Sequence, residues 1–134
     1  MKISIETTVN ASIERVWEAW ITPEVIKRWN FASDDWCCPD ASQDFSVGGK
    51  FNYRMEAKDG SLGFNFEGRF TSINEPYSIE FALDDHRKVS VTFSETVRGV
   101  RVLETFEAED EFSAEQQRQG WQSILNNFRI YVEV

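Results

Sequence analysis

Glu104 is the side chain with the sharpest chemical potential in this sequence. In the run Arg101 to Glu107, RVLETFE, the alternation that turns Val102 and Phe106 to one face turns Glu104 to the same face. A carboxylate among apolar side chains has its pKa raised unless it is paired, which suits a general acid, a general base, or an acceptor for a ligand hydroxyl. Two blander environments fit the same position: a wet strand end, or an ion pair with an arginine from elsewhere. Tyr53 is a second polar group set among large apolar side chains. With Glu104 it would supply the polar groups of an enzyme acting on an aromatic substrate. No convergent set of acid, base and oxyanion donors accompanies the pair, so no catalytic residue is assigned.

The remaining chemically capable residues point to less. His86, the only histidine, lies in Asp84-Asp85-His86-Arg87, where adjacent side chains of an exposed turn do not converge on one metal ion. Cys37 and Cys38 are neighbours, which rarely bridge each other and offer neither a disulfide framework nor zinc spacing. A reduced, cytoplasmic protein is expected, with no metal and no cofactor.

Large flat side chains surround these groups. From Asp44 to Phe70 the sequence alternates apolar and polar residues around Gly48-Gly49 and Asp59-Gly60, as antiparallel strands with one buried face do. Phe51, Tyr53 and Met55 share a face on one strand, and Phe64, Phe66 and Phe70 on the next. Trp29, Trp36, Phe45, Tyr53, Met55, Phe64, Phe66, Phe81 and Phe93, with Glu104, Trp121 and Leu125, are the expected wall of a ligand cavity. The same side chains would alternatively fill that space as a solid core.

The elements that must position this wall follow from periodicity and punctuation. Lys2 to Val9 alternates as a first strand. Ser12 is an N-cap before Ile13, Val16, Trp17 and Trp20, one face of a helix. Thr22-Pro23-Glu24 restarts a second short helix, with the Thr22 hydroxyl as cap. After a loop over 32–43, strands are expected at 44–47, 50–58, 62–73, 78–83, 88–96 and 101–108, joined by turns short enough to make neighbours antiparallel. Gly63 and Gly68 inside one strand predict a bulge or bend. Ser113 and Gln116 form a capping box for a final helix whose apolar face carries Trp121, Ile124, Leu125, Phe128 and Val132. Gly120 within it predicts close packing against the sheet at Gly68. One long helix does not lie flush along a strongly bent sheet, so a gap between the two is expected.

Composition narrows the function classes. The 134 residues suit one domain, and 14 basic against 23 acidic side chains give a net charge of −9. Without a basic run, neither a nucleic-acid backbone nor an anionic membrane surface is an expected partner. No apolar run spans a bilayer, and Met1-Lys2 leads straight into a strand with no signal-peptide core. The acidic run Glu104, Glu107, Glu109, Asp110 and Glu111 reads mainly as a solvated edge leading to the positive end of the last helix, with a docking patch for a basic partner as the alternative.

In this order the elements carry a resemblance. The residues that bear it are VNASIERVWEAWITPEVIKRW (Val9 to Trp29), SVGGKFNYRMEAKDG (Ser46 to Gly60), Glu67-Gly68-Arg69-Phe70, RVLETFEAE (Arg101 to Glu109) and QGWQSILNNFRIYVE (Gln119 to Glu133). The chain resembles the START / birch-pollen-allergen-like (SRPBCC, helix-grip) superfamily. Within that superfamily it resembles the activators of heat-shock-protein-90 ATPase homologue-like family. The resemblance implies an α+β helix-grip fold: a curved antiparallel seven-stranded sheet around a long C-terminal helix, with two short helices after the first strand. It also implies a habit of binding apolar or amphipathic molecules between helix and sheet, and no particular reaction. Eukaryotic co-chaperones of the family carry an additional N-terminal domain for which these residues leave no place, so direct chaperone activation is not expected. The expected function is non-catalytic binding of a small apolar or amphipathic ligand by a monomer or homodimer. The alternatives are a chaperone-associated protein-interaction domain and an aromatase/cyclase-like enzyme with a polyketide-like substrate.

Overall fold

The first strand, β1 (Lys2–Val9), pairs along its whole length with the last, β7 (Gly99–Glu107), so the two ends of the strand succession lie side by side at one edge of the sheet. A computed structural model describes residues 1–134. Between those two strands lie the helices α1 (Ile13–Ile21) and α2 (Pro23–Ile26) and the strands β2 (Trp36–Gln43), β3 (Lys50–Ala57), β4 (Gly63–Asn74), β5 (Ser78–Leu83) and β6 (Lys88–Thr96). The helix α3 (Ala114–Glu133) follows β7. All seven strands form one antiparallel sheet in the order β1-β7-β6-β5-β4-β3-β2, curled into a half-barrel. This is the expected α+β helix-grip fold.

Local chemistry explains the helix starts. The Ser12 hydroxyl accepts from Arg15 N, and Ser113 and Gln116 satisfy each other's backbone N–H groups in a full capping box. Thr22 differs from expectation: its hydroxyl donates back to Glu18 O at 2.6 Å and caps nothing in α2. That short helix relies on Pro23 at its first turn.

One strand lies elsewhere than its pattern suggested. The segment Trp36–Gln43, expected as loop, is the edge strand β2, while 44–47 is loop. Pro39 and Asp40 hid the strand, because both are depleted in strand interiors. They are accommodated where the β2–β3 register slips between Cys37 and Asp40, at an edge. The loop still packs a half-buried aromatic ring against the core, for Phe45 sits edge-on to Trp17 at 5.9 Å and to Phe70 at 5.1 Å.

Two features set the curl and the placement of α3. At Gly68 a Cβ would stand 2.2 Å from Ala82 O, so β4 and β5 approach too closely there for any side chain. Two residues on, the register slips between Phe70 and Ser72. At the opposite edge α3 lies along β1: Arg118 Nη1 donates to Ser4 O at 2.9 Å and Gln122 Nε2 to Glu6 O at 3.2 Å. The helix thereby satisfies edge carbonyls that would otherwise invite another strand. Trp17, Trp20, Trp29, Phe93 and Phe128 interlock at one end of the half-barrel, sealing it beneath α1. The helix is thus held to the β1 edge and the aromatic plug, while β3 and β4 curl away from it.

Candidate functional site

The space left between α3 and the far side of the sheet is a cavity of about 580 Å³ with 25 lining residues, 16 of them hydrophobic. Strand alternation builds its floor: Phe51, Tyr53 and Met55 from β3, Phe64, Phe66 and Phe70 from β4, Ile79 and Phe81 from β5. The stripe Gly120, Trp121 and Ile124 of α3 forms the roof. Phe64 and Phe112, 46% and 54% exposed, mark the mouth. The Trp121 ring stacks on Phe106 at 3.9 Å and meets Phe66 edge-on at 5.8 Å, which fixes the roof over the floor.

Of the residues expected on this wall, Trp29, Phe45, Tyr53, Met55, Phe64, Phe66, Phe81, Glu104 and Trp121 are on it. Trp36, Phe93 and Leu125 are not. Trp36 begins the edge strand, and its ring leans on Phe64 at 5.9 Å, outside the cavity. Phe93 shares the inner face of its strand but lies under α1, gripped by Trp17 and Trp20 at 5.6 and 5.8 Å. Leu125 is fully buried, on the flank of α3 that turns toward β1; successive residues rotate by about 100°, which carries Gly120 and Ile124 to the other flank.

Gly120 also departs from expectation. A Cβ there would meet nothing within 4 Å, so the glycine packs against neither Gly68 nor any other residue. It opens the roof of the cavity instead.

Glu104 lies in neither of the bland environments open to it. It is 7% exposed, lines the cavity, and forms no hydrogen bond or ion pair within the protein. Burial pushes its carboxyl from the ordinary 4.5 up to about 8, so it is mostly protonated at neutral pH. Tyr53, by contrast, is engaged: its hydroxyl donates to Gln43 Oε1, and Gln43 Nε2 in turn donates to Ile21 O. Burial moves the Tyr53 phenol upward, away from any role as a base at neutral pH. Burial likewise pushes the Cys38 thiol up to about 11, opposite to what a nucleophilic cysteine needs. His86 is exposed in the β5–β6 turn, and no group of three or more metal-ligating side chains forms.

Among the polar groups of the wall that sequence reasoning missed are Asn30, Gln43 and Gln117. Gln43 belongs to β2, the strand that Pro39 and Asp40 disguise as loop. Gln117 had a visible signal, since it precedes Trp121 by four residues on the apolar stripe of α3. Its amide ties down the segment after β7: Oε1 accepts from Glu109 N at 2.9 Å, and Nε2 donates to Glu109 O at 3.0 Å and Phe112 O at 2.8 Å. Replacing Gln117 by Ala removes all three and should cost about 2 kcal/mol in chemical unfolding. The Glu109 amide should then exchange with solvent faster in hydrogen-exchange mass spectrometry; unchanged protection would refute this tether.

The family model described as Activator of Hsp90 ATPase homolog 1-like protein matches residues 10–133. The chain belongs to that family. Solved family members and fold neighbours agree with the geometry. An AHSA1-like protein from Aeromonas hydrophila, solved by NMR, is 49% identical; the match covers 99% of this chain and 92% of that one at a TM-score of 0.93. A solution structure from Cytophaga hutchinsonii is 41% identical over 98% of this chain and 92% of that one, with a TM-score of 0.85. A crystal structure from Chromobacterium violaceum, 22% identical over 100% and 99% of the two chains, has a TM-score of 0.90 and shares the fold. No curated protein matches the chain. No helix of this family member is long and apolar enough to cross a membrane.

Proposed function

We propose that this domain binds a small apolar or amphipathic molecule, without turnover, in the cavity between the sheet and α3. The observation that carries the reading is the cavity itself. Its volume of about 580 Å³ falls within the range of small-molecule sites, about 300–1,000 Å³, and aromatic rings dominate its wall. A domain that works only through its outer face has no use for such a space, because unfilled volume forfeits packing contacts. The reading is binding and not turnover because the two polar candidates do not cooperate. Tyr53 is committed to Gln43, and no side chain hydrogen-bonds to Glu104 to activate or relay its proton.

Fluorescence titration with N-phenyl-1-naphthylamine, an apolar probe whose nitrogen is not basic, tests this. One probe per chain should bind at micromolar concentration with strong enhancement. Enhancement that fails to saturate, or that needs several probes per chain, would reject the reading.

A further inference from the structure

We propose that the cavity selects a lipophilic amine, an apolar body carrying a basic nitrogen whose ammonium group docks on the Glu104 carboxylate against the aromatic wall. The inference deepens the reading above and rests on it.

Three observations converge. The first is the inward carboxyl with no partner: Glu104 is 7% exposed, lines the cavity, and has no hydrogen bond or ion pair of its own. A buried polar group without a partner is costly, and the ligand atom that meets it recovers that cost. The second is what surrounds it. Trp121 lines the same cavity, its ring backed by the fully buried Phe106 at 3.9 Å. Phe66 and Phe81 continue the wall. Aromatic faces carry the negative end of a quadrupole and attract organic cations.

The third is the sign of charge around the cavity. Its titratable lining groups are Tyr53 from β3, Glu104 from β7, Glu109 and Glu111 from the segment after β7, and Arg87 from the β5–β6 turn. Arg87 is already engaged, with Asp85 Oδ2 at 2.8 Å and Glu109 Oε2 at 3.7 Å. No lining cation is left to hold a carboxylate, and an anionic ligand would also meet a protein of net charge −9. A neutral hydroxyl would gain a hydrogen bond to Glu104 but no charge pairing. An ammonium ion gains both.

The proton balance supplies a distinctive signature. At pH 7 the free amine is an ammonium ion and the buried Glu104 mostly holds its proton. Docking converts the neutral Glu104 carboxyl and the free ammonium ion into a carboxylate–ammonium pair. The carboxyl proton leaves to solvent as the pair forms, the amine keeps its own, and no redox step or further reactant is involved.

Isothermal titration calorimetry with 2-naphthylmethylamine, 2-naphthylmethanol and 2-naphthoate keeps one apolar body and changes only the head group. At pH 7 the amine should bind about tenfold or more tighter than the alcohol, and the naphthoate weakest of the three. Repeating the amine titration in buffers of different ionisation enthalpy should show release of close to one proton per amine bound, and none for the alcohol. Glu104→Gln should abolish the proton release and lower amine affinity about tenfold or more, while alcohol affinity stays within about threefold. Alcohol or naphthoate binding as tight as the amine, or amine binding indifferent to Glu104→Gln, would overturn amine selection and leave cavity binding standing. Failure of all three ligands to bind would overturn both.

Discussion

Glu104→Gln should make this protein more stable, and increasingly so as pH rises. Below about pH 4.5 the carboxyl is protonated in the folded and unfolded chain alike and has no effect on the balance. Above that value the unfolded chain releases the proton, whereas the folded chain holds it until about pH 8. Stability is therefore lost across that window and the loss is constant above it, because the raised value means that folding retains a proton that unfolding would free. Each pH unit inside the window is worth about 1.4 kcal/mol, so the native protein should fall by roughly 3 kcal/mol relative to the variant between about pH 5 and pH 7.5. Urea unfolding of both proteins across that range measures the difference directly. A difference that does not change with pH would show that Glu104 is ionised or paired after all.

Gly120→Phe should raise stability and remove binding in the same molecule. Glycine in a helix interior costs about 1 kcal/mol relative to alanine, and phenylalanine recovers part of it. The new ring has room, since a Cβ at this position meets nothing within 4 Å, and it enters the cavity roof beside Trp121. Burying it there adds about 1–2 kcal/mol of apolar transfer. The melting temperature should rise by a few degrees, while affinity for N-phenyl-1-naphthylamine falls about tenfold or more. The opposite signs matter, because a variant that lost binding by unfolding would lose both. Retained affinity in the stabilised variant would place the probe elsewhere.

Why the sequence revealed Glu104 but not the role of Gly120 is a matter of periodicity. Strand alternation has a period of 2, so a single acid between Val102 and Phe106 is turned to the inner face, although alternation alone does not say whether that position is wet or paired. The same alternation identified the β3 and β4 floor. It does not say how far along the sheet the helix is held off: Phe93 and Phe81 have the same inward orientation, yet one lies under α1 and the other faces the cavity. That separation depends on Arg118 and Gln122 docking α3 to the β1 edge, a tertiary choice with no local signature. Gly120 shows the same limit from the helix side. A glycine that permits close packing and one that leaves a space look identical in sequence, and only the distance to the facing sheet distinguishes them. The strand β2 was obscured for a different reason, since Pro39 and Asp40 contradict strand propensity and are tolerated only because a bulge on an edge strand accepts them.

Membership of the Activator of Hsp90 ATPase homolog 1-like family fixes the architecture and leaves the occupant of the cavity to the side chains that line it. The family resemblance and the chemistry of the wall are therefore separate supports. The 49% identical relative from Aeromonas hydrophila shares the first.

The five tryptophans provide the measurement that tests cavity binding most directly. Trp20, Trp29 and Trp121 line the cavity, Trp17 is packed behind it, and Trp36 stands outside against Phe64. In a ¹H–¹⁵N NMR titration with N-phenyl-1-naphthylamine, the indole Nε1–H signals of Trp20, Trp29 and Trp121 should shift together to saturation at one probe per chain. The Trp36 signal should stay in place. Shifts confined to Trp36, or a bound probe that moves none of the three cavity signals, would contradict an internal ligand site.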